Sequence, residues 1–307
     1  MTANQYDVVV IGNAGVDSNC YLGRDDMDFT VESNLTEIID YVGQAGGYSS
    51  RGFAQLGKST PLIVYVGEDH NGRLVRETLA ADGIDLTGLF VDPAGTARSI
   101  NFVYPDGRRK NFYDCKGHMD LRPDLTICRE ILSRGRLAHF SLPNWACFSL
   151  PLAKDLGLTI SCDIQDIVSI DDPYRQDFIN YADILFFSAV NFEDPSPMIE
   201  HFLASRPEQI ILVGLGAAGC ALGTKDGIRF FPAVDLPDPV VDTNGAGDGL
   251  AVGFLTSYIL DGFSQADAVC RGQVTARHTC TQRACLSNLI TPALLDDYFR
   301  DLFSCSD

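Results

Sequence analysis

The sequence has few positive charges, no Cys-x-x-Cys pair and no apolar run approaching the ~18 residues of a membrane helix. Each shortage excludes a class. The chain carries 23 Lys and Arg against 41 Asp and Glu, a net charge of −18. A general nucleic-acid binder needs a positive surface, so that partner is not expected. An anionic ligand would need local cations to overcome the global field. The ten cysteines are scattered, and the chain is too long to need a disulfide framework. They read as buried thiols in a reducing compartment. The opening MTANQYDVVVIG enters a strand at once, with no basic segment and no signal-type apolar run. The expectation is a cytoplasmic protein with no membrane partner.

No repeat and no long Gly/Ser or Pro linker divides the chain. YDVVVIG, TPLIVYVG, LAHFSL, LTISCDI, DILFFSA and QIILVGLG read as strands. GYSSRGFAQLG reads as a helix closed by Gly57, and HNGRLVRETLAADGID as a helix stopped at Gly83. The last third is helical. Strands alternating with helices imply a mostly parallel sheet covered on both faces, a three-layer α/β/α sandwich. Segments near 18–40 and 96–116 break the rhythm, and PDG in the second is a hairpin signal. They predict a small added β element.

Two motifs match familiar patterns in the wrong context. Gly52 to Ser59 fits GxxxxGK[ST], but a phosphate loop must follow a strand and open a helix. Here a helix-like run leads in and a strand follows, so Lys58 reads as a cation at a helix C-terminus. Gly214-Leu-Gly216-Ala-Ala-Gly219 fits GxGxxG, but strand-like CALGT follows where a dinucleotide fingerprint needs a helix. These glycines let a nucleotide approach the backbone, or simply make a turn.

VVDTNGAGDGLAVGFL places Gly245, Ala246 and Gly247 before an aspartate and an amphipathic helix. Successive N–H groups in such a turn, backed by a helix N-terminus, bind an anion. Asp248 at the first helical turn points towards that anion. An anion hole beside a carboxylate is what phosphoryl transfer to a hydroxyl requires. An aspartate at a helix start also serves to satisfy free N–H groups, so this motif alone leaves both roles open.

DTNGAGD resembles the C-terminal signature of the ribokinase-like (PfkB) carbohydrate kinases, and the resemblance covers nearly all of 1–307 as one kinase domain. VVVIGNAGVD is similar to the first strand ending in a sugar-binding aspartate, QAGGYSSRGFAQLG to the N-terminal glycine signature, ARSINFVYPDGRRKNF to the lid hairpin, and ILVGLGAAGCAL to the nucleotide-side strand. The resemblance implies Asp248 as catalytic base, with Gly245, Ala246 and Gly247 as anion hole. It implies a substrate site of Asp17, Gly46, Gly47, Arg51, Phe102 and Asn144. The nucleotide side would hold Ser188, Gly214, Gly216, Gly219, Thr243 and Gln273. ATP and phosphate-bound Mg²⁺ are the implied reactants, and a homodimer through the lid is allowed.

The departures are specific. Arg51 stands where relatives usually carry Asn; it either pairs with an acidic substrate or turns away to a neighbouring carboxylate. The metal-linked NxxE element reads Ser188-x-x-Asn191, or Asn191-x-x-Asp194 if slipped, with Glu193 a third candidate and Asn191 the residue assigned. Ala284 replaces a glycine at the end of the nucleotide loop, leaving a monovalent-cation site open. The expected reaction is phosphorylation of a sugar or sugar acid, since Asp17 can accept two hydrogen bonds from a diol. A nucleoside kinase is the nearest alternative: Phe102, Tyr104, Phe112, Tyr113 and Trp145 could stack on a base or form a core of their own. A non-catalytic binding relative is the third, against which Asp248 argues.

Overall fold

The computed structural model describes residues 5–24, 27, 28, 30–167, 169–283 and 289–303. The first part runs β1 (Tyr6–Ile11), β2 (Gly15–Tyr21), β3 (Glu37–Gly43), α1 (Ala45–Gln55), β4 (Leu62–Val66), α2 (His70–Ala81), β5 (Leu89–Val91), β6 (Arg98–Val103) and β7 (Arg109–Asp114). The middle runs α3 (Leu125–Leu132), β8 (Gly135–Phe140), α4 (Leu150–Asp155), β9 (Thr159–Asp166), α5 (Gln176–Tyr181), β10 (Ile184–Ser188), α6 (Ser196–Ser205) and β11 (Ile210–Gly214). The last part runs β12 (Cys220–Thr224), β13 (Gly227–Phe231), α7 (Ala246–Leu255), α8 (Gln265–Thr279) and α9 (Pro292–Phe303).

The main sheet has the order β13-β12-β11-β10-β9-β8-β1-β4-β5. Strands β5 to β11 in that order are parallel, and β12 and β13 are antiparallel additions. The unbroken apolar run of β1 suits a strand covered on both faces. Val8 and Val10 join Phe53 of α1 and Phe254 of α7 on one side. Val9 and Ile11 join Leu132 of α3 and Ala153 of α4 on the other. The architecture is therefore the three-layer sandwich that the alternation implied.

Both misleading motifs resolve as turns. Helix α1 ends before Gly57, which takes φ +76, and Lys58 pairs with Asp261 before the chain enters β4. No helix opens there to hold a phosphate. Beyond β11, a short 3-10 turn at Gly216–Ala218 leads straight into β12, antiparallel to β11. A Cβ on Gly219 would lie 2.1 Å from the Phe231 carbonyl oxygen, so close hairpin packing requires this glycine.

A second sheet, β3-β2-β6-β7, forms from the segments that broke the rhythm. Strand β2 pairs antiparallel with β3 and parallel with β6. Its face towards the main body is polar, with Asp17, Asn19 and Asn101 all buried. Ile38, Ile100 and Phe112 stand exposed on the opposite face.

Candidate active site

The glycine turn is built by the residues ahead of it. The Asp242 carboxylate, 1% exposed, accepts from the Asn244 backbone N–H at 2.9 Å and from its side-chain amide at 2.7 Å. Its other oxygen accepts from Asn19 Nδ2 and from the Tyr21 hydroxyl, each at 2.7 Å. The lid sheet thus grips the root of the turn. Gly245 follows at φ +77, where a Cβ would also lie 2.9 Å from the Tyr48 ring. Gly247 is exposed, with open space where a Cβ would be. Among the described residues, the N–H groups of Gly247 and Asp248 make no backbone bond back into the turn. The Asp248 N–H favours its own carboxylate and the Ala246 N–H donates to the Thr243 carbonyl at 3.3 Å, so the Gly247 N–H is the free donor at this helix start, suited to an anion.

Asp248 is half-buried in the first turn of α7. Desolvation, then the negative charge of Asp163 on β9, raises its pKa well above the ordinary carboxylate value; Arg109 and the Ser49 hydroxyl pull the other way. Asp163 is itself pushed up to about 6 by burial. The two carboxylates interact, so they titrate as a pair. Ser49 Oγ lies 3.4 Å from Asp248 Oδ1.

Asp17 is 4% exposed on β2. Burial raises its pKa, and the Gln44 N–H, the Ser99 and Tyr48 hydroxyls and Arg109 partly offset that rise. Oδ2 accepts from the Gln44 N–H and the Tyr48 hydroxyl, each at 3.2 Å. Oδ1 is buried and completes no hydrogen bond of sound geometry, the nearby Ser99 notwithstanding. Gln44 is held at φ 66, ψ 160, a region essentially reserved for glycine. Its Oε1 accepts from Asn13 Nδ2 at 3.1 Å, while its Nε2 is buried without a partner. Gly46 lets α1 meet the β1 loop: a Cβ there would be 2.7 Å from the Asn13 carbonyl oxygen. The Gly47 N–H donates to that same oxygen at 3.1 Å.

Three residues expected in the substrate site have partners within the protein. Arg51 turns away from the acceptor region. Its Nε donates to Asp82 Oδ2 at 2.5 Å and its Nη1 to the Val42 carbonyl at 3.2 Å. Phe102 packs edge-on against Phe112, because its neighbour Asn101 points inward to Asn19 and adjacent strand residues face opposite ways. Asn144 donates to the Met119 carbonyl at 2.9 Å and so fastens the loop beyond the lid.

On the nucleotide side, Ser188 ends β10 in register with Gly214 and Asp166. Gly216 takes φ +59 with open space around it, and Gln273 is buried in α8. Thr243 is tied to the lid: its hydroxyl donates to the Gly107 carbonyl at 2.9 Å. Asn191 is drawn to the Ile167 carbonyl at 3.1 Å and to Asp166 at 3.5 Å. Among the described residues, no group of three His, Cys, Asp or Glu could hold a metal ion. Ala284 lies outside the described residues.

Arg109, Asp163 and Gln44 were not singled out from the sequence. Arg109 donates to the Thr243 carbonyl at 2.6 Å, and its charge bears on both Asp17 and Asp248. A signal for Asp163 existed: an acidic residue near the end of an otherwise apolar strand, TISCDIQD.

A lid gripping a glycine turn at a helix start, with Asp248 in that helix and Asp17 in the lid sheet, is suited to phosphoryl transfer to a small molecule. Residues 7–292 match the pfkB family of carbohydrate kinases, and the chain belongs to that family. It is 28% identical to an acarbose 7(IV)-phosphotransferase from Actinoplanes sp., over 94% of this chain and 97% of that one. It is 29% identical to an ATP-dependent ribose-1-phosphate kinase from Halopiger xanaduensis, over 71% of this chain and 75% of the other. Among solved structures, a microbiome-derived acarbose kinase superposes with a TM-score of 0.88 at 29% identity, covering 96% of this chain and 99% of that one. The Thermotoga maritima ribokinase, at 19% identity and a TM-score of 0.77, shares the fold. The chain is accordingly a sugar or nucleoside kinase of this family, and no helix among the described residues is long and apolar enough to cross a membrane.

Proposed function

We propose that this protein transfers the γ-phosphoryl group of ATP to a hydroxyl of a neutral sugar or sugar derivative, with Asp248 as general base. The observation that carries the reading is the placement of Asp248 beside the free Gly247 N–H of the Gly245–Gly247 turn, with Arg109 acting on both Asp248 and Asp17. Asp248 takes the proton of the acceptor hydroxyl. The acceptor oxygen forms a bond to the γ-phosphorus as the bond to the bridging β–γ oxygen breaks, and ADP leaves with that electron pair. The turn's free N–H and Arg109 offset charge on the transferring group. Asp17 Oδ1 accepts from an acceptor hydroxyl and Gln44 Nε2 donates to one, so each buried orphan atom gains a partner. The Mg²⁺ that accompanies ATP is carried by its phosphates in this reading.

Acidic acceptors lose their support, because the Arg51 guanidinium is engaged by Asp82. A nucleoside base is also less well served. Phe102 and Phe112 pack edge-on against each other, Trp145 is fully buried against Tyr65, and the Tyr113 hydroxyl is bound to Asn13. The similarity to acarbose kinases makes acarbose the first acceptor to test.

The test is ADP release and product mass with MgATP and acarbose, D-ribose, D-fructose, D-gluconate or adenosine. The reading expects one added phosphoryl group on a neutral sugar. Transfer to adenosine or gluconate alone would contradict it.

A further inference from the structure

We propose that Ser49 and His139 position Asp248 for proton transfer, as links in a hydrogen-bond chain that reverses direction when Asp248 gains its proton. The proposal rests on Asp248 being the base. Ser49 on α1, His139 on β8 and Ser161 on β9 are each 0% exposed. Ser49 Oγ lies 3.4 Å from Asp248 Oδ1 and 3.3 Å from His139 Nε2. His139 Nδ1 lies 2.8 Å from Ser161 Oγ. The imidazole is braced edge-on between Phe53 and Phe186, with centroids 5.9 and 6.4 Å away, so its plane is set by packing. An imidazole in the middle of an apolar sheet is costly unless both nitrogens are satisfied.

Proton counting fixes two states. Ser49 and Ser161 each have one hydroxyl proton, and the neutral imidazole has one N–H. Burial keeps His139 neutral, its pKa pushed down to about 4. When Asp248 is ionised it can only accept. Ser49 then donates to Asp248, His139 Nε2–H donates to Ser49, and Ser161 donates to Nδ1. When Asp248 carries a proton, the chain runs the other way. Asp248 donates to Ser49, Ser49 donates to Nε2, and Nδ1–H donates to Ser161. Mixed arrangements leave a link unmade: with Asp248 ionised and the proton on Nδ1, Asp248 and Nε2 compete for the single Ser49 proton, and with Asp248 protonated and the proton on Nε2, the Ser49 proton has no acceptor in the chain. Each protonation state of Asp248 is thus matched by one tautomer of His139, and the chain orients the carboxylate in both.

Other groups around Asp248 are few. Asp163 comes from β9 and Arg109 from β7. Helix α8 presents Ala276 and Thr279 to Gly249, and β10 presents Phe186 to Phe254. The tautomer change therefore reads the Asp248–Asp163 pair with Arg109 as its fixed cation.

The experiment has two arms. The first is ring-nitrogen NMR of ¹⁵N-histidine-labelled protein without any acceptor, with His139 assigned by its loss in His139→Gln. The expected result is a neutral His139 that passes from Nε2–H to Nδ1–H as pH falls through the titration of Asp248. Ser49→Ala should abolish that change. A tautomer constant with pH in the wild type, or unaltered by Ser49→Ala, would overturn the proposal. The second arm is turnover against pH with ATP and acarbose. Ser49→Ala should lower kcat by about tenfold or more, the loss of one hydrogen bond to a charged group. It should also move the acid limb to higher pH and leave KM for ATP unchanged. His139→Leu should behave alike, while His139→Gln, whose amide can both donate and accept, should recover most of the rate. Normal kinetics for Ser49→Ala beside an inactive Asp248→Asn would overturn the chain alone. An active Asp248→Asn would instead remove the base reading beneath it.

Discussion

Arg109 of the lid donates to the backbone carbonyl of Thr243, 2.6 Å away, one strand of the lid thereby holding the root of the glycine turn. The same guanidinium favours the ionised forms of Asp17 and Asp248. Arg109→Met should therefore lower turnover by about tenfold or more, the range of a lost charge-assisted hydrogen bond. With the cation gone, Asp248 should hold its proton more tightly, so the acid limb of kcat should move to higher pH. An unmoved limb would mean that Arg109 only fastens the lid.

Asp163 should have the opposite effect. It raises the pKa of Asp248 through like charge. Asp163→Asn keeps an acceptor for the Gln165 N–H, which bonds Oδ1 at 2.8 Å, and removes the charge. The acid limb should then move to lower pH. A shift to higher pH would show that Asp163 supports ionisation of the base rather than opposing it.

Gln44 predicts a separation of stability from binding. A non-glycine residue at φ 66, ψ 160 carries strain of about 1–3 kcal/mol. Gln44→Gly relieves that strain but loses the contact to Asn13 and the free amide. Its thermal midpoint should equal or exceed that of the wild type, while KM for the sugar acceptor rises about tenfold and KM for ATP holds. A fall in both stability and acceptor affinity would assign Gln44 to folding alone.

Burial pushes both His118 and His139 down to about 4. In the unfolded chain each titrates near ~6.5. Between those values the unfolded state binds more protons, so stability is present above ~6.5 and lost as pH falls towards 4. Thermal melts of wild type and His139→Gln at pH 7.5 and 5 check this. The wild type should lose more stability on acidification. Parallel losses would show that His139 is not a source of the acid sensitivity.

The elements that repeat or stop locally were legible in the sequence. The buried run of β1, the glycine stops at Gly57 and Gly83, the PDG hairpin and the alternation of strand and helix all reappear in the structure. The three-residue β5 was too short to read. The orientation of the lid was not legible, for a physical reason. A sheet normally buries its apolar face, whereas here the polar face is the covered one, with Asn101 pointing inward to Asn19 and Phe102 packed against Phe112 on the other side. Arg51 was undecidable because its partner, Asp82, closes the following helix, a contact that no local pattern announces. Asp163 and Asp248 meet only when β9 and α7 pack together.

The central claim is that Asp248 takes the acceptor's proton, and Asp248→Asn tests it most directly. The substitution preserves shape and leaves the turn's N–H groups intact. The measurement is steady-state phosphoryl transfer beside ATP titration, for wild type and variant. The account predicts ATP affinity within about twofold of wild type, and turnover reduced by ~10²–10⁴ for loss of a positioned acid–base group. An aspartate that only satisfies helix N–H groups is replaced almost as well by asparagine. Near-normal turnover in Asp248→Asn would contradict the account and leave the anion-binding turn serving some other carboxylate.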